Sequence, residues 1–221
     1  MDEKIKIIPL TYAQSVMSEN KIVVGGDEEL LSPISFTIYL LVVGDRRILV
    51  DTGCKELSGY IFYNYKSPME CLRSKGFLCE DITDIIVTHA HHDHIACARY
   101  FPNATIHIQK DEYIVGRKYI PNSASLNIFE ENWSICSNIH VKKIGGHSIG
   151  SCVLLVEGDK KKYLLCGDEV YTSACVERQL PTGSSYNMEN SRAFLEKYGQ
   201  GDYEILYFHD IKSERSIIAV E

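Results

Sequence analysis

A chain of 221 residues with 45% hydrophobic residues, 24% charged residues and only six prolines is long enough for one layered domain, expected over residues 1–221, and too apolar for disorder. Lys and Arg number 23 against 30 Asp and Glu, a formal charge of −7, and basic residues come only in short groups such as Lys160-Lys161-Lys162, so nucleic acid is excluded as the expected partner. The start Met1-Asp2-Glu3-Lys4 has no export signal and no window reaches the ~18 apolar residues of a membrane span, which predicts a cytoplasmic protein without membrane contact.

In chain order, residues 4–10 alternate charge with Ile, and residues 34–43 form a β-branched and aromatic run that breaks at Gly44-Asp45 and resumes over 46–50, a hairpin signature. The spacing predicts helices over 68–75, stopped by Gly76, over 93–100 and over 110–118. Short strands are expected at 85–88, 105–108 and 139–144, while 120–137, rich in Asn and Ser, reads as a surface loop. A second hairpin follows, with strands over 151–156 and 161–166 around Gly158-Asp159-Lys160, then a helix over 188–198 and a strand over 204–208. Each hairpin leads into an Asp-containing turn, Asp51-Thr52-Gly53 or Gly167-Asp168, which hints at two similar halves. Strand-rich hairpins interrupted by single helices imply sheet layers with helices outside them. The eight cysteines are irregularly spaced and read mainly as buried thiols, with Cys97 and Cys166 either core residues or neighbours of a site.

Residues 89–94 read His-Ala-His-His-Asp-His, directly after the apolar run 84–88. Three imidazoles and a carboxylate in so little chain suit a borderline-soft divalent cation, and packing them together without one would be electrostatically wasteful. Three more candidates each follow an expected strand: His147 in Gly-Gly-His-Ser-Ile-Gly, Asp168 in Cys-Gly-Asp-Glu and His209 in Tyr-Phe-His-Asp. Alone, each is more simply a structural histidine or a turn aspartate. Strand ends on one edge of a sheet, with Gly at 145, 146, 150 and 167 for tight turns, are where such loops can converge. His107 and His140 lie in expected strands and read as structural.

This set of residues resembles the metallo-β-lactamase superfamily of hydrolases from the Asp51 turn to His209. The resemblance implies an α/β fold of layered α+β character, an αββα sandwich of two mixed sheets with helices on the outer faces and two metals at one edge. It implies that His89, His91 and His147 hold the first metal, that Asp93, His94 and His209 hold the second, and that Asp168 bridges them. Asp51 would be a buried carboxylate that orients ligands through hydrogen bonds, its plain alternative being a turn residue. His92 would point away from the metals. Zinc is expected first, and manganese, iron or cobalt suit the same donors.

A His at 91, where the similar diiron oxygen-reducing branch carries a carboxylate, points to hydrolysis, and Asp168 as a bridge argues against a true β-lactamase. Tyr171, three residues past Asp168, is similar to the tyrosine of the quorum-quenching N-acyl-homoserine lactonases, although it is equally open to reading as a packing residue among 14 tyrosines. The segments 146–150, 105–113 and 209–212 look like the same group. Two departures stand out: Ile95-Ala96-Cys97 follows the cluster where glycines are usual, and Phe208 replaces the Gly before the last His.

The expected function is therefore a dinuclear metal-dependent hydrolase that opens a lactone or cleaves a related small-molecule ester. A metal-bridging hydroxide would attack, since metal coordination can lower the pKa of water from ~16 to ~7. Tyr171 would help stabilise the oxyanion, and Asp168 or Asp93 would pass a proton to the leaving alkoxide. The rivals are a thioester hydrolase resembling glyoxalase II, which usually appends a helical C-terminal region where only 12 residues follow His209 here, and a metal-dependent phosphodiesterase. From another class, a metal-binding regulatory module without catalysis would need a closed four-ligand site, fewer than the seven ligands counted.

Overall fold

A computed structural model describes residues 4–213 and 216–220, so residues 1–3 of the stretch read for an export signal lie outside the described residues. Its strands, in chain order, are β1 (Ile5–Ser18), β2 (Leu31–Val43), β3 (Arg46–Val50), β4 (Asp84–Ile86), β5 (Thr105–Gln109), β6 (Ser125–Phe129), β7 (Trp133–Cys136), β8 (Ile139–Lys143), β9 (Cys152–Glu157), β10 (Lys162–Leu165), β11 (Glu204–Leu206) and β12 (Ile218–Val220). The helices are α1 (Glu19–Ile22), α2 (Pro68–Ser74), α3 (His92–Ile95), α4 (Lys110–Gly116), α5 (Ser173–Arg178) and α6 (Met188–Tyr198).

One sheet runs β12-β1-β2-β3-β4-β5-β6 and the other β11-β10-β9-β8-β7. Both are mixed: β3 to β6 pair in parallel beside the antiparallel β1, β2 and β3, and β11 joins β10 in parallel while the rest of the second sheet is antiparallel. The two-residue side-chain period divides the first sheet's apolar residues between two cores. Ile5, Ile7, Tyr39, Leu41, Ile48 and Val50 pack toward Val141, Val153 and Leu164 of the second sheet. Ile8, Leu10, Ile38, Leu40, Leu49 and Ile85 face the other way, onto Leu72 of α2 and onto Ala98 and Phe101. On the second sheet's side, Phe194, Leu195 and Tyr198 of α6 join the first of these cores. The chain thus forms the expected sandwich of two mixed sheets with helices.

Local sequence explains the helix ends. Ser67 caps α2 in a reciprocal capping box with Glu70, with Pro68 opening the helix, and the Asn187 side chain caps α6. Two expectations need correcting. The presumed loop 120–137 carries β6 and β7, each the edge strand of its sheet. Its Asn and Ser content hides the alternation because an edge strand is half solvated, as the partly exposed Leu126, Asn127 and Ile135 show. The helix expected over 93–100 stops after one turn, α3, and only a 3-10 turn, Ala98–Tyr100, follows. The reason is tertiary: the Cys97 N–H leaves the helical ladder to donate to Gly53 O at 3.1 Å, tying the cluster to the turn after β3.

The hairpins β2–β3 and β9–β10 run into Asp51 and Asp168 respectively. All eight cysteines are free, six buried and Cys79 and Cys136 half-buried. No helix among the described residues is long and apolar enough to cross a membrane.

Candidate metal centre

Five strand ends converge on one edge of the sandwich. Asp51 follows β3, the 89–94 run follows β4, His147 follows β8, Asp168 follows β10 and His209 follows β11. The chain must reverse sharply where it leaves β3 and β10, and it does so through left-handed backbone at Asp51 (φ 60°), Gly53 (φ 71°) and Gly167 (φ 53°).

The seven candidate ligands fall into two groups of side-chain donors, each with ligand atoms within 4.8 Å of one another: His89, His91, His147 and Asp168, and beside them Asp93, His94 and His209. In the first group, His91 Nδ1 lies 3.1 Å from His89 Nε2 and 2.9 Å from His147 Nε2. Those separations approach the ~3.3 Å edge of a tetrahedron with ~2.05 Å metal–nitrogen bonds. One imidazole proton cannot satisfy three converging nitrogens, so the arrangement fits a cation better than a hydrogen-bond cluster. His91 is the one exposed member, at the mouth of the site.

Asp168 faces both groups. Its Oδ1 is 3.1 Å from Nε2 of His94 and 3.1 Å from Nε2 of His209, while Oδ2 is 3.4 Å from His147 Nε2 and 3.6 Å from His89 Nε2. Asp93 Oδ2 stands 3.7 Å from both His94 and His209. His94 Nε2 and Asp168 Oδ1 are buried without a hydrogen bond of acceptable geometry. Buried lone pairs aimed at one another in this way are what a divalent cation would satisfy, so the donors present fit one.

Neighbouring groups set the ring tautomers. His209 Nδ1 donates to Ser35 O at 3.0 Å, and His94 Nδ1 donates to Asp51 Oδ2 at 2.7 Å, which leaves each Nε2 facing inward. Asp51 belongs to neither donor group but reaches both, His94 directly and His89 through a neighbour. It also accepts from the Thr88 N–H at 2.7 Å and the Thr88 hydroxyl at 2.7 Å, and that hydroxyl oxygen lies 3.1 Å from His89 Nδ1. One buried carboxylate therefore orients His94 directly and His89 through Thr88.

The electrostatics divide the same way. Burial, reinforced by His94, holds His89 well below the usual imidazole value, and burial brings His147 down to about 4. Both rings are neutral and free to ligate at neutral pH. Burial also works against charge on His94 and His209, but Asp168 outweighs it and raises both, with Asp51 adding to the rise at His94. Burial opposes ionisation of Asp168, yet His94, His209 and His89 pull its carboxyl well below the ordinary range.

Tyr171 is buried, its ring 5.6 Å from that of His147 and 5.2 Å from that of His209, so it spans the two groups. Burial and the Asp168 charge keep its hydroxyl protonated, against the opposing effect of a hydrogen bond with Ser184. His92 lies outside both groups and touches the Tyr119 hydroxyl at 3.1 Å. It also helps line a cleft of about 800 Å³ with Lys55, Leu57, Tyr60, Phe62 and Tyr65. Burial and then the charges of Asp93 and Asp168 raise the Tyr60 hydroxyl, which ties that cleft to the donor groups. His107 and His140 stand apart, in β5 and β8.

Sequence reasoning passed over two buried glutamates. Glu169 accepts from the N–H groups of Gly146 and His147 and from the Ser151 hydroxyl, and burial pushes its carboxyl up to about 7. Glu112, buried in the first turn of α4, accepts from Ala90 N–H, Gly150 N–H and the Ser148 hydroxyl. In sequence each looks like an ordinary acid, one after a turn and one at a helix start. The only signal was proximity, Glu169 being next to Asp168.

Layered mixed sheets with His and Asp loops gathered at one edge match the metallo-β-lactamase fold, and the profile of the Metallo-beta-lactamase superfamily matches residues 35–124. Several of the relatives it resembles in sequence are N-acyl homoserine lactonases. An N-acyl homoserine lactonase of Bacillus sp is 27% identical over 206 residues, covering 80% of this chain and 82% of the relative. The crystal structure of a Bacillus thuringiensis AiiA variant with N-decanoyl-L-homoserine at its active site superposes with a TM-score of 0.81 over 97% of this chain and 96% of its own, at 22% identity. A hydroxyacylglutathione hydrolase of Aliivibrio fischeri is 27% identical over 128 residues, 56% of this chain and 45% of the relative.

Proposed function

We propose that the chain, acting as a single domain, is a hydrolase that binds two divalent metal ions, zinc first among them, and opens a lactone or cleaves a related carboxylic ester, N-acyl homoserine lactones being the leading substrate class. The observation that carries this reading is the division of Asp168 between two histidine groups, Oδ1 toward His94 and His209 and Oδ2 toward His147 and His89. His89, His91 and His147 would hold one ion, Asp93, His94 and His209 the other, with Asp168 shared. Ions held there supply a water acidified toward neutral pH and a Lewis acid for the substrate carbonyl oxygen.

The chain's own residues do the rest. Asp51 and the Ser35 carbonyl hold the His94 and His209 rings in one tautomer, so the donor set is assembled before substrate arrives. Tyr171, kept protonated by burial, is a hydrogen-bond donor for the oxygen that gains charge as the carbonyl is attacked, exchanging its Ser184 contact for that oxygen. Asp93 keeps 13% side-chain exposure against 3% for Asp168, which makes it the better placed of the two to accept the proton released by the attacking water and return it to the departing alkoxide. The aromatic cleft beside His92 suits the apolar acyl part of an ester.

A thioester hydrolase is the second reading, supported by the hydroxyacylglutathione hydrolase relative. A phosphodiesterase has less support, because among the described residues that line the cleft Lys55 is the one lysine or arginine and Glu56 stands beside it. Steady-state turnover of N-acyl homoserine lactones, glutathione thioesters and a phosphodiester, each with defined zinc, manganese or cobalt, tests the proposal. Lactone kcat/KM is expected to exceed the other two by at least tenfold, and thioester turnover ahead of lactone turnover would overturn the ester reading.

A further inference from the structure

The first donor group is built from two loops far apart in sequence, 89–91 after β4 and 145–151 after β8. Glu112 of α4 lies between them. Its Oε2 accepts the Ala90 N–H at 2.7 Å, the peptide flanked by His89 and His91. Its Oε1 accepts the Ser148 hydroxyl at 2.7 Å and the Gly150 N–H at 2.9 Å, just past His147. Glu112 is 2% exposed, so these three donors replace the water it has lost.

The packing leaves little slack. A Cβ at Gly116 of α4 would lie 2.9 Å from Ala90 Cβ and 3.0 Å from Ile95 Cδ1, and one at Gly150 would collide with Gln109 Oε1 and lie 3.0 Å from Glu112 Cγ. The helix is thus seated directly on both ligand loops, and its carboxylate is their shared acceptor.

We infer that Glu112 is a positioning residue that joins the His89–His91 loop to the His147 loop, and so sets metal affinity at the first donor group while leaving the second unaffected. The inference rests on the two-group metal reading above. The chemistry makes Glu112→Gln an informative change. A carboxamide keeps one acceptor oxygen and brings two donors, so whichever way it turns, either Ala90 N–H or Gly150 N–H meets an N–H instead of an oxygen. One loop loses its tie, with almost no change in volume. The second group does not share the contact, since His94 and His209 are oriented by Asp51 and Ser35.

The test is a titration of the metal-free protein with Co2+, followed by visible absorption and by competition with a chromophoric chelator, alongside the thermal midpoint of the metal-free form. Two binding steps are expected for the unaltered chain, and His91→Ala identifies the step that belongs to the first group. Glu112→Gln should weaken that step roughly 10- to 100-fold, leave the other step in place, and add nothing further in a His91→Ala background. Equal weakening of both steps, or a full additional loss on top of His91→Ala, would show a general structural role and overturn the inference. If Glu112→Gln does not fold, Ser148→Ala removes one of the three donors and keeps the carboxylate. It should weaken the same step roughly fivefold, and an unchanged step would overturn the inference equally. No cobalt bound by the unaltered chain would instead overturn the metal reading itself, a result distinct from two intact steps that ignore Glu112.

Discussion

Asp168 Oδ1 lies 3.1 Å from Nε2 of His209, a contact between the ends of the parallel neighbours β10 and β11, while the other oxygen of the same carboxylate turns toward His147. A shared carboxylate makes the two histidine groups one unit. Asp168→Asn should therefore lower metal content at both groups, by more than the 10- to 100-fold in affinity typical of losing an outer partner. Metal analysis after dialysis at a fixed free-zinc level reads this, and two ions retained per chain would show that Asp168 is not shared.

Tyr171 separates chemistry from assembly. Removing one oxyanion donor costs on the order of 100-fold or more in kcat, so Tyr171→Phe should slow lactone turnover by about that factor with metal content unaltered. The ring stays in place between His147 and His209, so the fold has no reason to change. Full turnover in the variant would return Tyr171 to the status of a packing residue.

Asp51 reaches both groups, His94 directly at 2.7 Å and His89 through the Thr88 hydroxyl. Asp51→Asn should accordingly weaken metal retention at both groups by roughly 10- to 100-fold, in contrast to the one-sided effect expected of Glu112→Gln. Competition with a chelator over both binding steps distinguishes the two patterns, and loss confined to a single step would contradict this role.

Acid sensitivity has a source away from the site. Burial works to raise the Asp84 carboxyl, but hydrogen bonds from His107 at 2.8 Å and Thr83 at 2.7 Å, with the charge of Arg46, leave it below its ordinary value of 3.8. The folded chain then holds this proton less readily than the unfolded one. The stability Asp84 contributes is present above the unfolded value and is lost as pH falls through the folded one. Asp84→Asn should be destabilised at neutral pH, with the gap to the unaltered chain narrowing on acidification through about pH 4. Urea unfolding across that range checks the sign, and a gap independent of pH would contradict it.

Much of this is legible in the amino-acid sequence. The alternation over 4–10, the apolar runs over 34–43 and 46–50 and the hairpin β9–β10 read directly as strands, because strands buried on both faces are dense in Ile, Leu and Val, whereas the second half of β1, residues 11–18, carried no such signal. The 89–94 cluster and His147, Asp168 and His209 stood out because metal ligands are chemically unusual in combination. What stayed hidden was long-range. The loop reading of 120–137 failed because edge strands carry polar residues, and the 93–100 helix was cut short by a hydrogen bond from Cys97 to Gly53 that no local pattern encodes. Glu112 and Glu169 were invisible for the same reason. A buried glutamate differs from a surface one only in what the rest of the chain brings to it.

One chain is expected to bind two ions and to use them on an ester. The most direct measurement combines elemental analysis of the purified chain with N-acyl homoserine lactone turnover before chelation, after it, and after zinc is restored. Two ions per chain, turnover abolished by the chelator and regained with the second equivalent of zinc is the predicted result. A single tightly held ion, or ester turnover that survives complete removal of metal, would contradict the account.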